Sequence, residues 1–115
     1  MSTTDCPFCK IARRELPVQP VHETPNTLAF RDLHPQAPVH VLVIPKRHFA
    51  TLNDMAGEPA LLGEILAAGM AVARQEGIAD AGYRAIFNCN QGAGQSVFHV
   101  HLHIMGGRAL RWPPG

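Results

Sequence analysis

Residues 99–105 read HVHLHIM. Successive side chains of an extended chain point to opposite faces, so a period of two sorts this stretch at once. His99, His101 and His103 share one face, while Val100, Leu102 and Ile104 share the other and are expected to pack on a core. Alternate residues on a strand stand about 6.6 Å apart. Three imidazoles therefore form a row suited to one small anionic group or one metal ion. A lone histidine would read as part of a polar strand face; three in strict alternation, against a wholly apolar opposite face, read as a site. The stretch predicts a strand from Phe98 to Met105, with Gly92, Gly94, Gly106 and Gly107 marking the loops on either side.

Outward from that strand, Val39 to Ile44 is apolar and β-branched between Pro38 and Pro45, the pattern of a buried strand. Thr27 to Arg31 and Tyr83 to Asn88 are further strand candidates. Pro59 to Glu76 is rich in Ala and Leu, with Pro59 suited to the first helical position and Gly77 to the position after the last, and reads as the main helix. A short helix is expected from Phe8 to Arg14, ended before Pro17 and Pro20. The order is roughly α-β-β-β-α-β-β, with no residues assigned to the first of these strands. The strands before the main helix lie too close together for helical crossovers, so antiparallel pairing and an α+β class follow.

The chain has 115 residues, 46% hydrophobic and 17% charged, which gives a single domain over residues 1–115 with a modest core. Ten Lys and Arg against nine Asp and Glu leave a formal net charge of +1, which argues against nucleic acid as a partner. The N-terminus lacks the pattern of a secretory signal. The longest nearly apolar run, Ala60 to Ala73, carries Glu64 and is too short to span a bilayer. A soluble, cytoplasmic protein with no membrane partner is expected. Cys6 and Cys9 form a CxxC, which in a cytosolic chain is metal-binding or redox-active more often than a structural disulfide; no strand precedes it, as a thioredoxin-like motif would require.

For the histidine row, two chemistries compete. HxH on a strand occurs in catalytic zinc sites, but Asp and Glu are absent from Gln91 to Arg108. The alternative is nucleophilic catalysis by an imidazole attacking phosphorus or an acyl group. The preceding loop NQGAGQS, residues 90–96, offers backbone N–H groups and the Gln95 and Ser96 side chains to a phosphate. Glycine loop and histidine row together favour phosphoryl or nucleotidyl transfer.

HVHLHIM matches the histidine-triad pattern, His-φ-His-φ-His-φ-φ with φ apolar. The chain resembles the histidine triad (HIT) superfamily, and within it the Hint branch of nucleotide-binding proteins. Supporting that branch are RDLHPQAPVHVLVIPKRH (31–48), YRAIFN (83–88), GQSVFHVHLHIMGGR (94–108) and the ending WPPG (112–115). The resemblance implies a HIT-like fold, a five-stranded antiparallel sheet with one long and one short helix that continues across a homodimer. It implies a hydrolase cleaving purine nucleoside 5′-phosphoramidates, such as AMP–amine conjugates, through a nucleotidyl-histidine intermediate. His101 would be the nucleophile, with Ser96, His103 and His40 completing the catalytic set. Asp32 would hold the ribose hydroxyls, which a carboxylate can accept, and Leu33 would border the base. Asn88, Gly94, Gln95 and Ser96 match positions around the phosphate and leaving group, and His103 would contact the phosphate oxygens. Ala93 departs from the family, which often has glycine there; if the position needs a positive φ, alanine costs about 1–2 kcal/mol.

HIT proteins that begin CxFCxI imply a zinc ion held by the two cysteines, a histidine after the PK turn and the first histidine of the triad. Here those are Cys6, Cys9, His48 and His99, a closed Cys₂His₂ set of structural type. The alternative is two reduced cysteines packed as small hydrophobes. In the Hint branch a tail like Arg108 to Gly115 reaches the neighbouring active site, and Trp112 is the chain's one tryptophan. Two rival functions remain: a dinucleoside polyphosphate hydrolase of the Fhit type, and a nucleotide-binding regulatory module without catalysis.

Overall fold

The computed structural model describes residues 5–115. A helix α1 (Pro7–Ala12) is followed by strands β1 (Pro20–Glu23), β2 (Thr27–Arg31) and β3 (Val39–Pro45), the long helix α2 (Pro59–Gln75), β4 (Tyr83–Phe87) and β5 (Leu102–Gly106). The strands form one antiparallel sheet in the order β1-β2-β3-β5-β4. The expected class and element order hold. β1 is the strand to which the sequence assigned no residues: Pro20, expected to end the helical segment, opens it instead, at the sheet edge where a missing N–H is tolerated.

β2 and β3 are apolar at nearly every position because both faces of the sheet are covered. Ala29, Val41, Val43, Val100, Leu102 and Ile104 meet Ile65, Ala68 and Val72 of α2 on one face. Leu28, Phe30, Leu42 and Ile44 meet Phe8, Cys9 and Ile11 of α1 on the other. α2 lies close against the triad strand: a Cβ at Gly69 would stand 2.8 Å from a Leu102 methyl and 3.0 Å from one of Ile104. Its C-terminus follows the sequence pattern, with Gly77 at φ +76° directly after the Glu76 cap.

The expected strand from Phe98 to Met105 is shorter in the structure. Its ladder begins at Leu102, while Val100 donates its N–H to Phe49 O at 2.8 Å in the segment after β3. Residues 99–101 lie outside the ladder, with a bend at His99, and His99 reaches His48. α1 stops at Ala12 rather than Arg14, where Arg14 adopts φ +61°. Among the described residues, no helix is long and apolar enough to cross a membrane.

Candidate functional site

The alternation of residues 99–105 holds through the end of the ladder. Val100, Leu102 and Ile104 are buried against α2, and the three histidines all lie on the α1 side. In the β3–β5 register Leu42 pairs with His103 and His40 with Met105, so His40 lies on the His103 face, one diagonal step away.

Hydrogen bonds fix the tautomer of each imidazole here. His101 Nδ1 lies 2.8 Å from His99 O, and a carbonyl can only accept, so Nδ1 carries the hydrogen and donates it. The lone pair is left on Nε2, for which no hydrogen-bond partner is found among the described residues. The Gln36 backbone N–H donates to His40 Nδ1 at 3.0 Å, so His40 carries its hydrogen on Nε2. That Nε2–H donates to His103 Nδ1 at 2.9 Å, which leaves His103 with its own hydrogen on Nε2. His103 Nε2 is buried with no partner, an orphan donor beside a bare acceptor on the next imidazole. The rings of His101 and His103 lie 4.9 Å apart.

Burial keeps this cluster neutral. It lowers His103 to about 4, helped by the neighbouring His101 and His40. It lowers His101 and His40 as well, with Asp32 opposing it in both. Asp32 follows β2 and serves two purposes. Its Oδ1 accepts the His34 N–H at 2.8 Å, closing a turn, while its Oδ2 stands 3.4 Å from His40 Nε2. Asp32, His40 and His103 are close enough to invite a metal, but the Gln36 N–H on Nδ1 puts a hydrogen, not a lone pair, on the His40 nitrogen that would ligate it.

A cavity of about 470 Å³ opens on this face, bordered by Asp32, Leu33, Ser96, His101 and His103. Leu33 is 77% exposed at its rim, an apolar side chain left in water. Apart from His34, the rest of the wall, including Pro7 and Phe8, Ile11 and Phe30, Val18 and Leu42, is apolar and was missed from sequence. The readable signal was Phe8 and Ile11 at i, i+3 beside the two cysteines. Phe8 meets the His101 ring edge-on, with centroids 5.1 Å apart at 89°.

Asn88, Gly94 and Gln95 do not border this cavity. The Gln95 side chain is spent inside its own loop, where its amide donates to Ala50 O at 2.8 Å and Val97 O at 3.0 Å, and its carbonyl accepts the Asn90 N–H at 2.7 Å. The expected phosphate contact from this side chain gives way to a role in shaping the loop. Ala93 carries no strain: the positive φ angles fall on Asn90 (+70°) and Gly94 (+87°), and Ala93 ends a short 3-10 turn.

The four residues expected around zinc do come together. His48 Nδ1 and His99 Nδ1 are 3.3 Å apart, Cys9 Sγ is 3.2 Å from His48 Nδ1 and 3.5 Å from His99 Nδ1, and Cys6 Sγ is 3.4 Å from His99 Nδ1. A tetrahedron with zinc–sulfur and zinc–nitrogen bonds of about 2.3 and 2.05 Å has edges of about 3.35 Å (N···N) and 3.55 Å (S···N). His99 Nε2 donates to Pro45 O at 2.8 Å, which turns the Nδ1 lone pair toward the cluster. Burial lowers His99 to about 4, so the ring is neutral, as a ligand must be. The donor set fits zinc.

Comparison with known proteins places the chain in a family. The HIT domain family matches residues 13–110, and the chain belongs to that family. It is similar to the purine nucleoside phosphoramidase of Escherichia coli, 46% identical over 90% of this chain and 87% of that one. A crystal structure of a HIT family hydrolase from Legionella pneumophila superposes with a TM-score of 0.94 at 52% identity, covering 96% of this chain and all of that one. A zinc-bound histidine triad family protein from Mycobacterium smegmatis superposes at 0.81 with 33% identity, covering 93% and 78%.

Proposed function

We propose that the protein is a hydrolase that cleaves purine nucleoside 5′-phosphoramidates, taking the nucleotide in the cavity beside His101. The observation that carries this is the tautomer pair: a bare His101 Nε2 next to an orphan His103 Nε2–H on one cavity wall. A binding module needs no bare nucleophile. The apolar wall around Phe8, Phe30 and Leu33 suits a purine, and the Asp32 carboxylate suits the ribose hydroxyls. The His103 N–H suits a phosphate oxygen.

In this reading His101 Nε2 attacks the α-phosphorus, the P–N bond breaks and the amine departs with a proton drawn from solvent, which the attacking water of the second step gives back. Ser96, exposed at the cavity mouth, sits on the leaving-group side. Asn88, Gly94 and the Gln95 backbone join the site only around the leaving group or after a loop adjustment. Water then attacks the nucleotidyl-histidine, releasing the nucleoside monophosphate and restoring the imidazole. His40 holds the His103 tautomer throughout.

Cys6, Cys9, His48 and His99 would hold a structural zinc ion, which supplies cross-linking and no step of the chemistry. The reading includes a cytoplasmic homodimer. Trp112 is 82% exposed on the single chain, and Leu66 and Met70 on α2, 42% and 55% exposed, form an apolar stripe at i, i+4. Turnover of an AMP–amine phosphoramidate beside Ap₃A and Ap₄A tests the substrate class. Preference for the phosphoramidate supports it; preference for the polyphosphates selects the Fhit-type reaction instead. A fast quench with labelled substrate should trap a nucleotidyl adduct on His101.

A further inference from the structure

α1 presents two working faces in six residues. Cys9, and Cys6 just before it, point their sulfurs at His48 and His99, while Pro7, Phe8 and Ile11 line the cavity. Between these faces there is no slack: Phe8 is the residue between the thiols that packs edge-on against both His99 and His101, at 6.0 and 5.1 Å.

Among the described residues, no backbone hydrogen bond fastens this helix to the sheet. The N–H groups of Lys10, Arg13, Arg14 and Glu15 all bond within the segment, to Cys6, Cys9, Ile11 and Lys10. A helix this short is not stable by itself. It is held by side-chain burial and by the sulfur–imidazole cluster, which joins residues 39 to 93 positions apart in the chain. Without a metal those contacts are only sulfur–imidazole approaches of 3.2 to 3.5 Å, and a thiol is a weak donor and a weak acceptor. With one, four bonds close across the same span.

We infer that the Cys6–Cys9–His48–His99 clip sets nucleotide affinity: a bound zinc ion fixes α1, and with it the Pro7–Phe8–Ile11 wall, so that metal and nucleotide bind with positive coupling. The inference rests on the zinc and nucleotide assignments proposed above. It makes the two cysteines positioning residues for a binding wall they do not line. Linkage requires the coupling to be reciprocal.

The test uses AMP and zinc as probes on the full chain. Calorimetry of AMP binding to protein carrying one equivalent of zinc, and to protein stripped with a chelator, should show affinity about tenfold weaker in the stripped form. On wild-type protein loaded with zinc, the chelator concentration that removes half the metal should rise by the same factor in saturating AMP. This second measurement needs no stable metal-free form. Phe8→Ala should keep its zinc, bind AMP more weakly and lose the dependence of zinc retention on AMP. Equal AMP affinity with and without zinc, or zinc retention indifferent to AMP in the wild type, overturns the coupling and leaves the nucleotide assignment standing. Failure of the zinc-loaded protein to bind AMP overturns the coupling together with that assignment, and failure to take up zinc overturns it together with the metal assignment.

Discussion

The two faces of the triad strand come from the same seven residues and obey different rules. On the α2 side, Val100, Leu102 and Ile104 are at most 3% exposed and pack into the apolar cluster beneath α2, with Gly69 admitting the helix to contact distance. On the α1 side, three histidines are also largely buried, yet each keeps a defined polar partner through one nitrogen. The first face is built for stability and is indifferent to chemistry. The second accepts the cost of burying polar rings, and a buried orphan N–H, to hold nitrogens in set protonation states. Stability and function are thus separated by one residue step along a single strand.

The comparison is broken most decisively by His101→Ala. Loss of the nucleophile should lower kcat by about 10⁴-fold or more, while urea unfolding shifts by less than about 1 kcal/mol and AMP still binds. Near-wild-type turnover would remove His101 from the chemistry. The mirror substitution is Leu102→Ala, one step along on the opposite face. It should cost about 2–5 kcal/mol of stability and leave kcat of the folded protein within about tenfold of wild type; a stable but inactive variant would show that the faces are not separable.

Metal content sharpens the contrast on the histidine side. Protein purified without a metal-affinity tag should contain about one zinc per chain by elemental analysis. Cys6→Ser with Cys9→Ser should lose the metal and melt about 10 °C lower, as a loss of about 2 kcal/mol gives in a domain of this size. A double variant that retains full zinc would refute the ligand set.

Of the two faces of the strand, acid should act on the histidine side. His103 titrates near 4 when folded, against an ordinary 6.5, because burial and its histidine neighbours disfavour the charge. Between those values the unfolded chain binds a proton that folded His103 refuses, so this contribution is complete above about pH 6.5 and is lost as pH falls toward 4. Urea midpoints at pH 5 and 7.5 should therefore differ more for wild type than for His103→Gln, and equal differences would place the His103 ring in water. The smallest effect belongs to the loop that feeds the strand. Asn90 holds φ +70° and ψ 173°, a region natural to glycine, so Asn90→Gly should raise stability by about 1 kcal/mol if its strain is not part of the site. A destabilised variant would show that the asparagine side chain contributes more than its backbone costs.

Much of this was legible in advance because it depends on local geometry. Alternation across a strand assigned the faces of His99 to Ile104, and Thr27 to Arg31 was bounded without error. Pro59 and Gly77 marked the ends of α2 to within a residue. β1 escaped because a four-residue edge strand opening on proline carries no periodic signal. Gln95 shows the limit of reading motifs: an amide in a glycine loop reads as a ligand contact, and only the fold shows that its side chain makes three hydrogen bonds within and beside its own loop.

By itself the sequence determined which face of the strand the three histidines share, since side-chain direction follows from the backbone's own period. Only the tertiary structure decided what each imidazole does. The hydrogen on His101 is placed by the carbonyl of His99, that on His103 by a relay from Gln36 through His40, and the orientation of His99 by Pro45. The α1 wall and the clip behind it are decided the same way, by contacts between residues as far apart as Cys6 and His99. A tautomer or a ligand cluster is a property of neighbours in space, and those neighbours exist only once the loops between them have closed.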